Sequence, residues 1–131
     1  MDIQESLNKL FALHTFGVKL GLENIQKFLE AIGNPQSKLK TIHVAGSNGK
    51  GSTSSFIASI LMENGFKVGL YTSPHFVKFN ERISIDGRYI SDEYIAKFIE
   101  KHQKHIDEFQ LTFFEVTTAM AFEYFNYSKV D

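Results

Sequence analysis

The sequence predicts an α/β domain organised around a parallel sheet, and two observations carry that prediction. A short β-branched run, Thr41-Ile-His-Val-Ala45, stops at a glycine-rich segment, after which Phe56, Ile57, Ile60 and Leu61 recur at helical spacing. Asn64-Gly65 closes that helix, and Lys67-Val-Gly-Leu-Tyr71 reads as a second buried strand. Strand, helix and strand in this order make a β-α-β unit, whose strands run parallel because the helix carries the chain back.

The remaining elements follow along the chain. Leu7, Leu10, Phe11 and His14 share a helical face, as do Leu22, Ile25, Phe28, Leu29 and Ile32 before Gly33-Asn34-Pro35 ends the pattern. Two leading helices are therefore expected, joined by the short connector Thr15-Phe-Gly-Val-Lys-Leu-Gly21. Arg82-Ile-Ser-Ile85 and Arg88-Tyr-Ile90 flank Asp86-Gly87, the signature of a two-residue hairpin turn, and a small surface hairpin is expected there. Ser91 caps a helix with Asp92 and Glu93 in its first turn and the stripe Ile95, Phe98, Ile99, His102, Ile106. Phe114, Thr117, Thr118, Ala121, Phe122 and Phe125 mark a last helix, and at Val130-Asp131 another strand is only beginning.

Composition narrows the functional classes. A chain of 131 residues has room for one domain and buries roughly two-thirds of its unfolded surface. Hydrophobic residues make up 43% and charged residues 22%, with 14 Lys and Arg against 15 Asp and Glu, so neither a disordered tail nor a nucleic-acid surface is indicated. Without Cys, disulfide and thiolate chemistry are excluded; the polar start Met1-Asp-Ile-Gln-Glu is no secretory leader, and a cytoplasmic protein is expected. The longest apolar run, Phe56 to Met62, falls far short of the ~20 residues of a membrane helix, so no membrane insertion is expected.

The chemistry lies in Gly46-Ser47-Asn48-Gly49-Lys50-Gly51-Ser52, at the predicted junction of strand and helix. A phosphate can be held there by converging backbone N–H groups and the positive end of a helix dipole, provided the backbone comes close. Gly46, Gly49 and Gly51 permit the approach, Lys50 adds a mobile cation for β and γ phosphates, and Ser52 or Thr53 brings a hydroxyl to the helix start. The spacing departs from G-x-x-x-x-G-K-[ST]: Val44 stands where that pattern has Gly, and Gly51 intervenes between Lys50 and Ser52.

That departure has a counterpart. The segment Thr41-Ile-His-Val-Ala-Gly-Ser-Asn-Gly-Lys-Gly-Ser-Thr53 resembles the loop of the Mur ligase superfamily, specifically of folylpolyglutamate synthases and dihydrofolate synthases. Gly17-Val-Lys-Leu-Gly-Leu-Glu23, Val68-Gly-Leu-Tyr-Thr-Ser-Pro-His75, Phe79-Asn-Glu-Arg-Ile83 and Thr112-Phe-Phe-Glu115 also resemble blocks of these enzymes, in order. Members usually carry Thr where Ser47 stands, which keeps the hydroxyl.

The resemblance implies a P-loop-like, three-layer Mur-ligase ATPase domain with a parallel sheet, of which residues 1–131 are an amino-terminal part. Within it, 1–38 is a helical leader with a folate-contacting loop and 39–131 the phosphate-loop portion, while the glutamate-binding carboxy-terminal domain is absent. It implies ATP and Mg²⁺, with Ser47, Asn48, Gly49, Lys50, Gly51 and Ser52 as the phosphate cradle, Lys50 as its catalytic cation and Ser73 as a magnesium ligand. Gly17, Val18, Lys19 and Leu20 match one wall of the pterin site; Thr112, Phe113, Phe114 and Glu115 match the other. Some bifunctional members have Asp where Lys19 stands, which leans toward glutamate addition. The implied activity is ATP-dependent ligation of L-glutamate to folate, or of glutamate to dihydropteroate, through an acyl phosphate. The parent is expected to be a monomer; the chain alone is expected to be inactive and open to self-association at a bare sheet edge.

The residues read without the resemblance leave other options. Ser73-Pro74 is then a turn, Glu115 a helix-start acid with core aromatics beside it, and Arg82 a structural partner of Glu81 or a neighbouring helix. His14, His75, His102 and His105 are spread over several elements, and the pair His102 and His105 lacks a third ligand, so no zinc site is expected. A non-catalytic nucleotide-binding module and a small-metabolite kinase remain as functional alternatives.

Overall fold

The computed structural model describes residues 2–16 and 21–131. The chain opens with α1 (Ile3–Ala12), whose capping box joins the Asp2 carboxylate to the Glu5 N–H and Glu5 back to the Asp2 N–H. A 3₁₀ turn (Leu13–Phe16) extends it, so His14 lies just past the regular helix. After α2 (Glu23–Ala31), Gly33 at φ 96° and Asn34 at φ 51° turn the chain into a 3₁₀ segment begun by Pro35. Both leading helices are where the apolar spacing put them, with Leu10 and Phe28 fully buried.

The expected first strand is not formed. Residues 41–45 take no strand assignment, and Thr41, Ile42, His43 and Ala45 are exposed. A strand exists only against a partner that takes up its N–H and C=O groups, and among the described residues this segment has none. The helix that follows, α3 (Lys50–Glu63), does form, but Phe56 and Ile60 of its expected buried face are exposed while Ala58 is buried.

Of the second expected strand, Gly69–Tyr71 forms β1. Its partner is β2 (Ile83–Ile85), antiparallel, with Gly69 opposite Ile85 and Tyr71 opposite Ile83. β2 pairs in turn with β3 (Arg88–Tyr89) across Asp86-Gly87, both at positive φ (50° and 81°), as a type I′ turn requires. The three-stranded antiparallel sheet thus replaces the parallel pair as the sheet of the described residues. The hairpin is also not a surface ornament: β2 is the middle strand and all three of its residues are buried.

α4 (Asp92–Glu108) is capped by Ser91, whose hydroxyl accepts from the Tyr94 N–H at 3.1 Å, and every residue of its predicted stripe is buried. α5 (Phe113–Tyr127) is the central helix, with Val116, Thr117, Ala119, Met120 and Ala121 fully buried, as expected of a helix packed on several sides. Phe114, assigned by spacing to its inner face, is exposed instead, and Phe113 takes the inner position. α1 packs on α4, α2 on α5, and α3 on β1. α5 meets β1 so closely that a Cβ on Gly69 would lie 2.6 Å from Phe125 Cδ1.

Candidate phosphate and acceptor site

Two helices, α3 and α5, pack on β1 or lie close against it. The chain turns between α3 and β1 through Asn64 and Gly65 (φ 87°), and α3 packs on β1. α5 is antiparallel to β1, because Phe125 sits on Gly69 while Thr118 Oγ1 meets the Tyr71 hydroxyl at 3.0 Å. The start of α5, Thr112 to Glu115, therefore lies beyond Tyr71, at the end where β1 runs into Thr72 and Ser73. In open α/β architectures ligands bind at the carboxyl ends of strands.

The glycine-rich loop opens α3 without occupying its N-terminus. Gly49 is the N-cap at φ 75° and ψ 7°, and being Gly it offers no side-chain acceptor to the first-turn amides. The first turn carries no acid. Gly46 at φ 149° and Gly49 need glycine for their backbone angles, whereas Gly51 has ordinary φ and nothing within 4 Å of a built Cβ. A side chain at Gly51 would thus obstruct only a group approaching from outside the chain. Lys50 Nζ donates to the Gly46 carbonyl, folding over the loop. Ser47, Asn48, Gly51 and Ser52 are exposed around it. Such a cradle of donors and one cation suits an anion carrying several oxygens.

The donor set also bears on a metal. Ser73 is exposed just past β1, and Ser52 lies at the helix start. These are neutral hydroxyls, and no group of three His, Cys, Asp or Glu able to hold an ion occurs among the described residues. They fit Mg²⁺ as supplementary ligands to phosphate oxygens, not as a cage of their own.

Beside Ser73 lies a cluster that sequence reasoning mostly missed. Arg82 Nε donates to His75 Nδ1 at 2.7 Å, and the guanidinium sits 5.0 Å from the centre of the Phe113 ring. His14 stacks on Phe113 at 4.4 Å between ring centres, Phe11 stacks on it at 5.6 Å, and Phe79 meets it edge-on at 6.0 Å. Partial burial and the Arg82 charge hold the His75 imidazole below its usual value, against the opposing pull of Glu81, so His75 accepts from Arg82 as a neutral ring. Burial lowers Arg82 too, with the Tyr71 hydroxyl opposing, while burial pushes the Tyr71 phenol up. Arg82 is thus tied to His75 and Phe113, and Glu81, its expected partner, bonds elsewhere: its carboxylate accepts from the Phe76, Val77 and Lys78 backbone N–H groups. The block Asn80-Glu81-Arg82 was visible in the sequence, but not which way each side chain turned.

The two expected walls of an acceptor site are placed unequally. Gly17, Val18, Lys19 and Leu20 lie outside the described residues, although the His14–Phe113 stack brings the chain preceding them against the other wall. On that wall Phe113 is buried and Phe114 exposed. Thr112 and Glu115 are both buried and form a capping box: Glu115 Oε1 accepts from Thr112 N–H at 3.0 Å and from its hydroxyl at 3.1 Å, and Thr112 Oγ1 accepts from Glu115 N–H. Glu115 is therefore engaged as a helix-start acid.

A second polar group stands apart on α4 and α5. His102 Nε2 and Glu123 Oε2 are 2.9 Å apart, and the Tyr94 hydroxyl donates to Glu123 Oε1 at 3.1 Å. Burial pushes Glu123 up, but His102 and Tyr94 together outweigh it and the carboxyl stays below its ordinary range. A depression of about 370 Å³ opens over this group, lined by Tyr94, Lys97, Lys101 and Tyr127 among others, with none of the loop residues in its wall. Position and satisfied bonding mark it as structural.

No family model matches the chain. It is 45% identical over 123 residues to the dihydrofolate synthase/folylpolyglutamate synthase of Bacillus subtilis, covering 88% of this chain and 29% of that protein. It superposes on the crystal structure of folylpolyglutamate synthase from Thermotoga maritima with a TM-score of 0.88 at 42% identity, covering 98% of this chain and 32% of that one. On a folylpolyglutamate synthase complex with AMPPCP and folate the TM-score is 0.87 at 35% identity, over all of this chain and 34% of the other. The chain thus spans no more than about a third of the length of these relatives.

The fold is α/β and of the Mur-ligase kind. Within that class, the chain belongs to the folylpolyglutamate synthase/dihydrofolate synthase family.

Proposed function

We propose that the protein is an ATP-dependent ligase that joins the amino group of L-glutamate to a folate carboxylate, with dihydropteroate as the alternative acceptor, in the cytoplasm. What supports this reading is that the phosphate loop opens a helix packed on β1, while Ser73 follows that strand and the start of α5, with the Phe113 cluster, lies past its C-terminal end. A nucleotide phosphate and a flat aromatic acceptor can meet there. The relative solved with both AMPPCP and folate supports the pairing.

In this reading the first-turn amides of α3 and the Ser47 to Ser52 loop hold the phosphates. Lys50 leaves the Gly46 carbonyl for the β and γ phosphate oxygens, where it neutralises charge that spreads over the transferring phosphoryl group. Mg²⁺, held by phosphate oxygens with Ser52 and Ser73, would supply further neutralisation of that charge. The acceptor carboxylate attacks the γ phosphorus and releases ADP; the glutamate amine then displaces phosphate from the acyl phosphate, losing a proton as the amide forms. The exposed Phe114 offers a face against which a pterin stacks, and Gly17, Val18, Lys19 and Leu20 are its further proposed contacts. Thr112 and Glu115 fix the start of α5 that presents Phe114.

The test is a mass-spectrometric assay of folate–glutamate amide formation by the full-length gene product with ATP and Mg²⁺, run with folate and with dihydropteroate. Product with either acceptor supports the reading. ATP-dependent phosphorylation of a hydroxyl compound, with no amide from either acceptor, would replace it with a kinase.

A further inference from the structure

Between Ser73 and Phe79 the His75 ring packs near Phe11 and Phe79, but the stretch from Phe76 to Lys78 is exposed and no apolar burial holds it. Phe76 is 96% exposed and Val77 82% exposed, so neither side chain anchors it. What holds Phe76 to Lys78 is one carboxylate: Glu81 Oε1 accepts from Phe76 N–H at 2.9 Å, and Oε2 accepts from Val77 N–H at 3.0 Å and Lys78 N–H at 2.7 Å. These backbone bonds keep the Glu81 carboxyl below its ordinary value, with His75 adding a smaller pull.

Glu81 can act as a clamp because its own backbone is fixed. Asn80 is buried, and its Nδ2 donates to the Ile90 carbonyl and to Asp92 Oδ1, both at 2.8 Å, tying this turn to the end of the hairpin and the start of α4. On the other side Arg82 holds the His75 ring, and Thr72 N–H donates to the Arg82 carbonyl at 2.9 Å. Three consecutive side chains thus have separate tasks. Asn80 grips the core, Arg82 grips the aromatic cluster, and Glu81 fixes residues 76–78.

We infer that Glu81 is a positioning residue for the reaction proposed above: by binding three successive amides it fixes the path of residues 73–78, and with it the places of the Ser73 hydroxyl and the His75 ring beside the acceptor cluster. The inference rests on that functional reading.

Glu81→Gln is the sharpest probe, because it keeps the shape but turns an –NH₂ toward at least one of the three N–H donors. In the full-length protein, hydrogen exchange at Phe76, Val77 and Lys78 is expected to accelerate roughly tenfold or more, the loss of one charge-assisted hydrogen bond. The KM for the pterin acceptor is expected to rise roughly fivefold or more, with the KM for glutamate unchanged. Faster exchange with an acceptor KM within about twofold of wild type would make Glu81 merely structural and overturn the inference, as would unchanged exchange. If Glu81→Gln fails to accumulate as folded protein, Glu81→Asp decides by the same readouts: it keeps the charge one methylene short, so smaller increases in both support the inference and an unchanged acceptor KM overturns it. A wild-type protein that forms no amide would instead overturn the functional reading, a result the exchange measurement does not depend on.

Discussion

Gly69→Ala places one methyl group where the structure has no room for it. The added Cβ would lie 2.6, 2.7 and 2.9 Å from three ring carbons of Phe125, against an optimal carbon separation of roughly 3.5–4.0 Å, an overlap of about 1 Å on three atoms. Phe125 is only 7% exposed and packs within the main core, so its ring cannot swing into solvent. Overpacking of this kind costs about 1–3 kcal/mol, and the three-atom clash argues for about 2 kcal/mol. Urea unfolding of wild type, Gly69→Ala, Phe125→Ala and the double variant measures it. Phe125→Ala alone is expected to cost about 3–5 kcal/mol. In that background the alanine at 69 should cost under about 0.5 kcal/mol, leaving a coupling near 2 kcal/mol. A neutral Gly69→Ala, or the same cost in both backgrounds, would refute the close packing of α5 on β1 that brings Thr112 past the C-terminal end of the strand.

Other outcomes follow from the same structure. Thr112→Ala removes both the acceptor for the Glu115 N–H and a donor to the buried carboxylate, and should destabilise by about 1–2 kcal/mol in a chemical melt. Replacing Gly87 (φ 81°) by Val should cost about 1–2 kcal/mol, whereas Asp86→Asn, a residue equally at home at φ 50°, should be close to neutral; proteolytic susceptibility of the hairpin reports both. Glu81 and Glu123 are both held below the ordinary carboxyl value of 4.5 in the fold. Their contribution to stability is therefore fully present above pH ~4.5 and is lost as pH falls through the lower folded values. Thermal melts between pH 6 and 3 should decline less steeply in Glu123→Gln than in wild type.

The local elements were legible because their signals are local. Ser91 caps as its position predicts, Asp86-Gly87 turns as its dipeptide predicts, and the stripe Ile95, Phe98, Ile99, His102 and Ile106 is buried. The sheet was not legible. Lys67 to Tyr71 reads as a strand of either sense, since apolar alternation carries no direction, and its partner β2 was hidden in a hairpin that looked superficial. Thr41 to Ala45 has strand composition but no pairing partner among the described residues, and composition cannot supply one.

The site divides along the same line. The proposed phosphate loop is legible as a motif because its glycines, Lys50 and the serines stand together in the sequence. The acceptor cluster was not, because Phe11, His14, His75, Arg82 and Phe113 are scattered in sequence and meet only after α1, the hairpin and α5 have packed. Glu115 shows the reverse effect: the motif points to a ligand contact, while its position three residues past Thr112 also completes a capping box, and the structure displays the latter.

The central claim is that Lys50 and the loop around it serve ATP-dependent amide formation. The most direct measurement compares wild-type and Lys50→Ala full-length protein in the folate–glutamate ligation assay, with folding checked by thermal melting. Amide product is expected from wild type, and its loss, by about a hundredfold or more, in a folded Lys50→Ala variant. Lys50→Ala protein that forms amide at the wild-type rate would contradict it.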